Sequence, residues 1–90
     1  MRDKFNLLVR SREGVIFRGE VNSITSFNEK GKFDVLSQHA NFISLITNSI
    51  NIIDGLGVSK QIPLNNALLR VRENYVEVYL GVQGLNQSNK

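Results

Sequence analysis

The chain has 90 residues, of which 41% are hydrophobic, and this length predicts a single domain with a small core. It contains no cysteine, which excludes disulfide frameworks, thiolate catalysis and cysteine-ligated metals. Eleven Lys and Arg against eight Asp and Glu give a net charge of +3, and the basic residues are dispersed rather than gathered into one block.

The N-terminal residues Met-Arg-Asp-Lys-Phe-Asn are charged from the start and lack the apolar core of a signal peptide. No apolar run approaches the roughly 20 residues that a membrane-spanning helix needs. We therefore expect a soluble, cytoplasmic protein.

The first third of the chain is typical of short strands separated by turns. Alternating apolar residues predict a half-buried strand over 4–10, and a turn follows at 11–14. A short strand over 15–17 is then expected to be interrupted at Gly19 by a bulge or a bend. Residues 20–27 fit the spacing of a helix as well as that of a strand, and their serine and threonine content favours a strand.

The middle of the chain begins with a turn at 28–31, where Gly31 supplies a positive φ, and a strand over 33–36. Residues 37–54 are ambiguous, because Ser37 could cap a helix whose apolar residues follow near-helical spacing. Five isoleucines and a threonine favour strands instead. We interpret the segment as two strands, 41–47 and 50–54, joined by a tight corner at Asn48-Ser49.

The last third repeats the pattern of strand and turn. A glycine turn at 55–57 precedes a strand over 58–64, in which Pro63 marks the end or an edge position. Asn65-Asn66 is predicted to turn the chain, and alternating residues follow over 67–72. After a turn at Glu73-Asn74, Val76, Val78, Leu80 and Val82 give the clearest period of two in the sequence.

This pattern indicates an all-β protein, a small antiparallel β-sandwich or flattened barrel of about eight to ten short strands. The domain is expected to cover residues 1–84, and residues 85–90 are expected to form a flexible tail with little to bury.

Several short segments, in order, resemble a known family. Ser11, Glu13-Gly14, Ile16-Phe17 and Gly19-Glu20-Val21 are similar to the opening of the epsilon subunit of F-type ATP synthase, called delta in mitochondria. The resemblance continues through Gly31-Lys-Phe-Asp-Val-Leu-Ser-Gln-His-Ala and through the alternation of Ala67, Leu69 and Val71, so that it covers roughly residues 5 to 82. It implies the N-terminal β-sandwich of that family without the C-terminal helical hairpin.

The chain departs from the family mainly in its turns. Lys32 stands where the family usually has a carboxylate, Ser37-Gln38 replaces Pro-Gly, Asn41 replaces proline, and Asn65-Asn66 replaces paired glycines. The apolar positions are retained. The fold expectation therefore holds, while the geometry of these loops and of any contact they make is expected to differ.

The resemblance implies a rotor part of a rotary ATP synthase. The sandwich would pack on the gamma subunit and touch the c-ring, so that ring rotation reaches the catalytic head, with no catalysis of its own and no cofactor or metal. It would lie at the cytoplasmic face of the plasma membrane, or on the matrix side in an organelle. Residues proposed from this resemblance to bind partners are Lys30, Lys32, His39 and Phe42.

Two other functions compete with this interpretation. A small β-barrel that binds single-stranded nucleic acid would use exposed aromatic residues and clustered cations, but Tyr75 and Tyr79 flank Glu77, and the basic residues do not gather around them. A hydrolase would need a nucleophile and a base, and no such constellation is evident. His39 is the only histidine, so a metal or catalytic role is not expected for it.

Overall fold

The computed structural model describes residues 4–81, which form six β-strands. The strands are β1 (Phe5–Ser11), β2 (Gly14–Asn28), β3 (Gly31–Val35), β4 (Phe42–Asp54), β5 (Ser59–Arg72) and β6 (Tyr75–Leu80). Within residues 4–81, no helix is long and apolar enough to cross a membrane. The expected tail at 85–90, and Val82, lie outside the described residues.

The six strands form one sheet in the order β1-β6-β5-β4-β2-β3, and a further pairing of β1 with β2 closes five of them into a barrel. All neighbouring strands are antiparallel except β1 and β6, which pair in parallel from Asn6 opposite Tyr75 to Arg10 opposite Tyr79. The expected all-β sandwich or barrel is confirmed. It is built from fewer and longer strands than the eight to ten predicted, because segments expected to be separate are continuous.

The core lies inside this barrel and follows the alternation of the strands. Side chains at every second position point inward, as the period of two requires. The buried set contains Phe5, Leu7 and Val9 from β1, Val21 and Ile24 from β2, Val35 from β3, Ile46, Ile50 and Ile52 from β4, Ala67, Leu69 and Val71 from β5, and Val76 and Val78 from β6.

The predicted corner at Asn48-Ser49 and the predicted turn at Asn65-Asn66 are both wrong. β4 runs unbroken through the first pair and β5 through the second, and the two sites lie side by side. Thr47 is opposite Asn66, and Asn48 is opposite Leu64, so Asn65 is an extra residue of a β-bulge. Asn48 takes a φ of 74°, which bends β4 without reversing it. Asn48-Ser49 and Asn65-Asn66 therefore mark the place where adjacent strands bend together around the barrel.

The polar groups at this bend are paired by side chains. The Thr47 hydroxyl donates to the Asn65 carbonyl at 2.8 Å, and the buried Ser26 hydroxyl donates to the Ser49 carbonyl at 2.8 Å. Among the described residues, no buried side-chain nitrogen or oxygen lacks a hydrogen-bond partner. The bend is therefore accommodated without leaving a costly unpaired group inside the barrel.

Two smaller expectations have different outcomes. Gly19 was predicted to interrupt a strand, but β2 is continuous there and Gly19 pairs with Leu7; the extra residue of the β1–β2 pairing is Ile16 instead. Pro63 does not end its strand. It lies in the half of β5 that pairs only with β4, so it occupies the edge position that was the alternative.

Candidate partner-binding site

Phe42 is the first residue of β4 and lies at the rim of the core. Its half-buried ring meets Phe33 of β3 edge to face, with ring centroids 6.0 Å apart and an angle of 75° between the planes. This is a favourable arrangement for two aromatic quadrupoles. The pair fixes the start of β4 against β3 at the end of the barrel where the β2–β3 turn lies.

His39 extends this aromatic cluster to the surface. It is exposed in the loop between β3 and β4, its ring centroid lies 5.1 Å from that of Phe42, and its Nδ1 lies 2.9 Å from the Ala40 carbonyl oxygen. The loop is anchored beyond it, since Asn41 Oδ1 accepts a hydrogen bond of 2.8 Å from the Glu73 backbone N–H. The imidazole is thus held in place while one side of it stays accessible.

Lys30 and Lys32 lie in and after the β2–β3 turn, and both are exposed. Asn28 Oδ1 accepts a hydrogen bond of 2.9 Å from the Lys30 N–H, and Gly31 has a φ of 117°, which confirms the expected positive φ in this turn. Lys32 is opposite Phe27 in the β2–β3 ladder. The turn therefore presents two ammonium groups from a backbone that is locally ordered.

A groove runs between this turn and the first half of β4. β2 pairs with β4 only as far as Phe27 opposite Thr47, and β2 then turns away. A side-chain hydrogen bond of 3.2 Å from Asn28 Nδ2 to Ser44 Oγ bridges the gap. The open groove has a volume of about 720 Å³ and is lined by residues 28–30, 42–47 and Asn66.

The structure brings together three of the four residues proposed from the sequence. Lys30 and Phe42 line the same groove, and His39 contacts Phe42. Lys32 lies two residues beyond Lys30 and does not line the groove. None of these placements tests whether the four residues bind a partner, so that role remains a proposal.

The groove suits contact with a polypeptide more than enclosure of a small molecule. It is open on one side, whereas small-molecule sites bury most of their ligand's surface. Residues 4–81 contain no group of three or more His, Asp or Glu that could hold a metal ion. An aromatic anchor beside charged and amide groups is the composition found where proteins contact each other.

Sequence reasoning did not identify two exposed apolar side chains that line this groove. Ile43 and Leu45 are each 64% exposed on the outside of β4, while Phe42, Ser44 and Ile46 point inward. The run Phe-Ile-Ser-Leu-Ile is apolar on both faces, so its alternation carried no signal of which face is outward. Only the pairing with β5 decides this.

The opposite end of the barrel carries a turn that is held by one carboxylate. Asp54 Oδ1 accepts hydrogen bonds of 2.9 Å from the N–H groups of Leu56 and Val58. The bond from Val58, followed by the bond from Leu56 and the nearby charge of Lys60, holds the pKa of Asp54 below its usual value although partial burial opposes this. The turn displays Leu56, which is 90% exposed.

Comparison with known proteins agrees with this architecture. The family model of the ATP synthase delta/epsilon chain, β-sandwich domain, matches residues 4–81. An ATP synthase epsilon chain from a Nitratiruptor species is 33% identical over 96% of this chain and 70% of its own length. One from Clostridium perfringens is 31% identical over 82% of this chain and 56% of its own length.

Solved structures share the fold. A chain in the cryo-EM structure of the Euglena gracilis mitochondrial ATP synthase OSCP/F1/c-ring has a TM-score of 0.77 at 18% identity, covering 86% of this chain and 50% of its own length. A chain in the Tetrahymena thermophila mitochondrial ATP synthase central stalk and c-ring gives 0.70 at 14% identity, covering 88% of this chain and 64% of its own. This chain thus spans about half to 70% of the proteins it matches. Because the family model covers all six strands and a relative is one-third identical over almost the whole sequence, the chain belongs to the ATP synthase delta/epsilon chain family through its β-sandwich domain.

Proposed function

We propose that this protein is a central-stalk subunit of a rotary F-type ATP synthase. The observation that carries the proposal is the match of the delta/epsilon β-sandwich model to residues 4–81, the whole of the described barrel. A rotor part must transmit torque between partners without deforming. A closed barrel with a continuous apolar core supports that role, because close-packed interiors have low compressibility.

In this role the protein is non-catalytic. It binds the gamma subunit and the c-ring, and through them it is peripheral to the membrane, on the cytoplasmic side of a plasma membrane or on the matrix side of an organellar one. The aromatic cluster of Phe33, Phe42 and His39 and the groove beside it supply the contact surface at one end of the barrel. Lys30 and Lys32 supply charge at the same end, where they meet polar loops of the ring.

The first test is an affinity pull-down of the tagged protein from its native host, with the recovered chains identified by mass. Recovery of gamma with alpha, beta and c subunits is the expected result. Recovery of unrelated proteins or of RNA, without synthase subunits, would mean that the fold is retained without the function. Purified protein is expected to turn over no ATP, and measurable turnover would contradict the non-catalytic role.

The residue assignments are tested by variants in the same assay. Lys32→Glu and His39→Ala are expected to lower recovery of synthase subunits without lowering the melting temperature, since both side chains are exposed. Lys60→Glu is the matched control, an exposed lysine on the half of β5 that leads away from the groove. If all three variants recover as much of the synthase subunits as the unsubstituted protein does, Lys32 and His39 are not part of the interface.

A further inference from the structure

Among the strands of residues 4–81, β3 is the one whose second side is unpaired along its whole length. It stands at the end of the strand order and pairs only with β2, over Gly31–Val35. The first half of β5 also has an unpaired side, but Lys60, Pro63 and the bulge at Asn65 oppose the addition of another strand there. The β3 edge carries neither a proline nor a bulge, so its geometry permits another strand to pair with it.

The free side of β3 presents unpaired backbone groups of two residues. Pairs in an antiparallel ladder alternate between hydrogen-bonded and non-hydrogen-bonded. The two-residue β2–β3 turn is closed by Asn28 and Gly31, which form a hydrogen-bonded pair. Phe33 is therefore also bonded to β2, whereas Lys32 and Asp34 are in non-hydrogen-bonded pairs. The N–H and C=O groups of Lys32 and Asp34 thus point away from β2, toward the free edge.

The side chains of the same two residues have opposite charges. Lys32 and Asp34 are both exposed, and because they are two residues apart they lie on the same face of the sheet. The Thr25 hydroxyl donates a hydrogen bond of 2.6 Å to Asp34 Oδ1 from the neighbouring strand, which fixes the orientation of the carboxylate. The edge therefore holds a cation and an oriented anion beside unpaired backbone groups.

This edge is complementary to itself. If β3 pairs in antiparallel fashion with β3 of a second copy about a two-fold axis at Phe33, Lys32 of each copy lies opposite Asp34 of the other. Each such pair exchanges two backbone hydrogen bonds and sets opposite charges side by side. A lysine on an edge strand ordinarily opposes strand addition, but here it meets a carboxylate. Moving the axis to Lys32 or Asp34 would set like charges opposite each other, so the charges select one register.

Two further features favour this register. Phe33 lies on the axis and is half-buried, with its ring packed against Phe42, and its exposed part would meet Phe33 of the second copy in a non-hydrogen-bonded pair, where side chains approach most closely. Lys32 stands where the related family usually has a carboxylate. A carboxylate at that position would face Asp34 of the second copy and oppose the pairing, so the self-complementarity depends on this departure.

We propose that the chain, outside any larger assembly, forms a two-fold dimer by pairing β3 with β3 of a second copy. The contact spans a single strand edge, which is smaller than a standard interface, so we expect a weak dimer with a dissociation constant of about 0.1–1 mM. Pairing covers Lys32, so the dimer and the contact of Lys32 with the ring exclude each other. The dimer goes beyond the proposed function and does not depend on it.

The first experiment measures the mass of the purified full chain by sedimentation equilibrium from about 10 µM to 1 mM, where the mass is expected to rise toward that of a dimer. Lys32→Asp and Asp34→Lys each set like charges opposite each other in both pairs, and each is expected to weaken association by about 10-fold or more. Lys60→Asp, at an exposed lysine outside β3, is the control and leaves association unchanged. A monomer at every concentration, or a dimer that neither β3 variant weakens, would overturn the proposal.

The second experiment tests the register by combining the two substitutions. The Lys32→Asp chain carries two carboxylates on its edge and the Asp34→Lys chain carries two ammonium groups, so in this register their equal mixture pairs opposite charges throughout. The mixture is expected to associate at least as strongly as the unsubstituted chain. The double variant is expected to recover association as well, and since its net charge is that of the unsubstituted chain, overall charge does not explain the recovery. Failure of both to recover would refute the register.

Amide hydrogen exchange, followed by NMR at low and high protein concentration, locates the contact. The N–H groups of Lys32 and Asp34 are expected to gain protection as the concentration rises, while that of Phe33, already bonded to β2, changes little. Protection gained along β5 or in the groove instead would refute the pairing. The pull-down tests the proposed function separately: dimerisation without recovery of synthase subunits supports the dimer and refutes that function, and a monomeric chain that recovers them does the reverse.

Discussion

Replacing Ile46 by alanine tests the inward register of β4. Ile46 is 1% exposed inside the barrel, whereas the preceding Leu45 points outward and is 64% exposed. Ile46→Ala deletes three carbons, so the lost transfer free energy alone is about 2.4 kcal/mol. The cavity left in a close-packed core raises the expected loss to about 2–5 kcal/mol.

This loss is large compared with the free energy of unfolding of the whole domain. A domain of 90 residues has a free energy of unfolding of about 5–13 kcal/mol. Each kcal/mol lowers the melting temperature of a domain of this size by about 4–8 °C, so Ile46→Ala is expected to lower it by at least about 10 °C. The expected loss is thus a large share of the free energy of unfolding, and the variant is measurably less stable than the unsubstituted protein.

Leu45→Ala is the matched control. The two residues are neighbours in sequence and both are apolar, but a surface substitution changes the free energy of unfolding by less than about 0.5 kcal/mol. Both variants are unfolded with urea and, separately, by heating, and circular dichroism monitors the unfolding in each case. A larger loss for Leu45→Ala than for Ile46→Ala would place the wrong face of β4 in the core, because a one-residue slip exchanges the faces.

Three further predictions concern local features. Ser26→Ala leaves the buried Ser49 carbonyl without its donor and is expected to lower the free energy of unfolding by about 1–3 kcal/mol in urea; no change would mean that another group satisfies it. Asn48→Val is expected to cost about 1–2 kcal/mol because φ is 74°, while Asn48→Gly is tolerated; equal stability of the two variants would argue against the bend. Folding lowers the pKa of Asp54, so the ionised carboxylate stabilises the fold above the ordinary value of 3.8, and this stabilisation is lost as the pH falls through the folded pKa. Asp54→Asn is therefore expected to flatten the acid limb of a plot of unfolding free energy against pH. An unaltered acid limb would refute this.

The candidate site was predictable in part. The β2–β3 turn followed from Gly31, and the sequence placed Lys30 and His39 in loops, which the structure confirms. The contact of His39 with Phe42 and the groove beside Lys30 were not predictable. They arise because β2 leaves β4 at Asn28, which depends on how long the ladder between two distant strands continues.

The sequence by itself determined that the chain is all-β and where several turns fall, because alternation and glycine act through local backbone preferences. It also determined the family, through the order of its short motifs. Only the tertiary structure decided that Asn48 and Asn65 bend two paired strands without reversing either, that β1 pairs in parallel with β6 and also with β2 to close the barrel, and that Ile43 and Leu45 face outward. A left-handed asparagine can end a strand or bend it, and an apolar run on both faces can turn either side inward. The partner strands make that choice, since the arrangement that keeps the ladder paired and the core filled has the lower free energy.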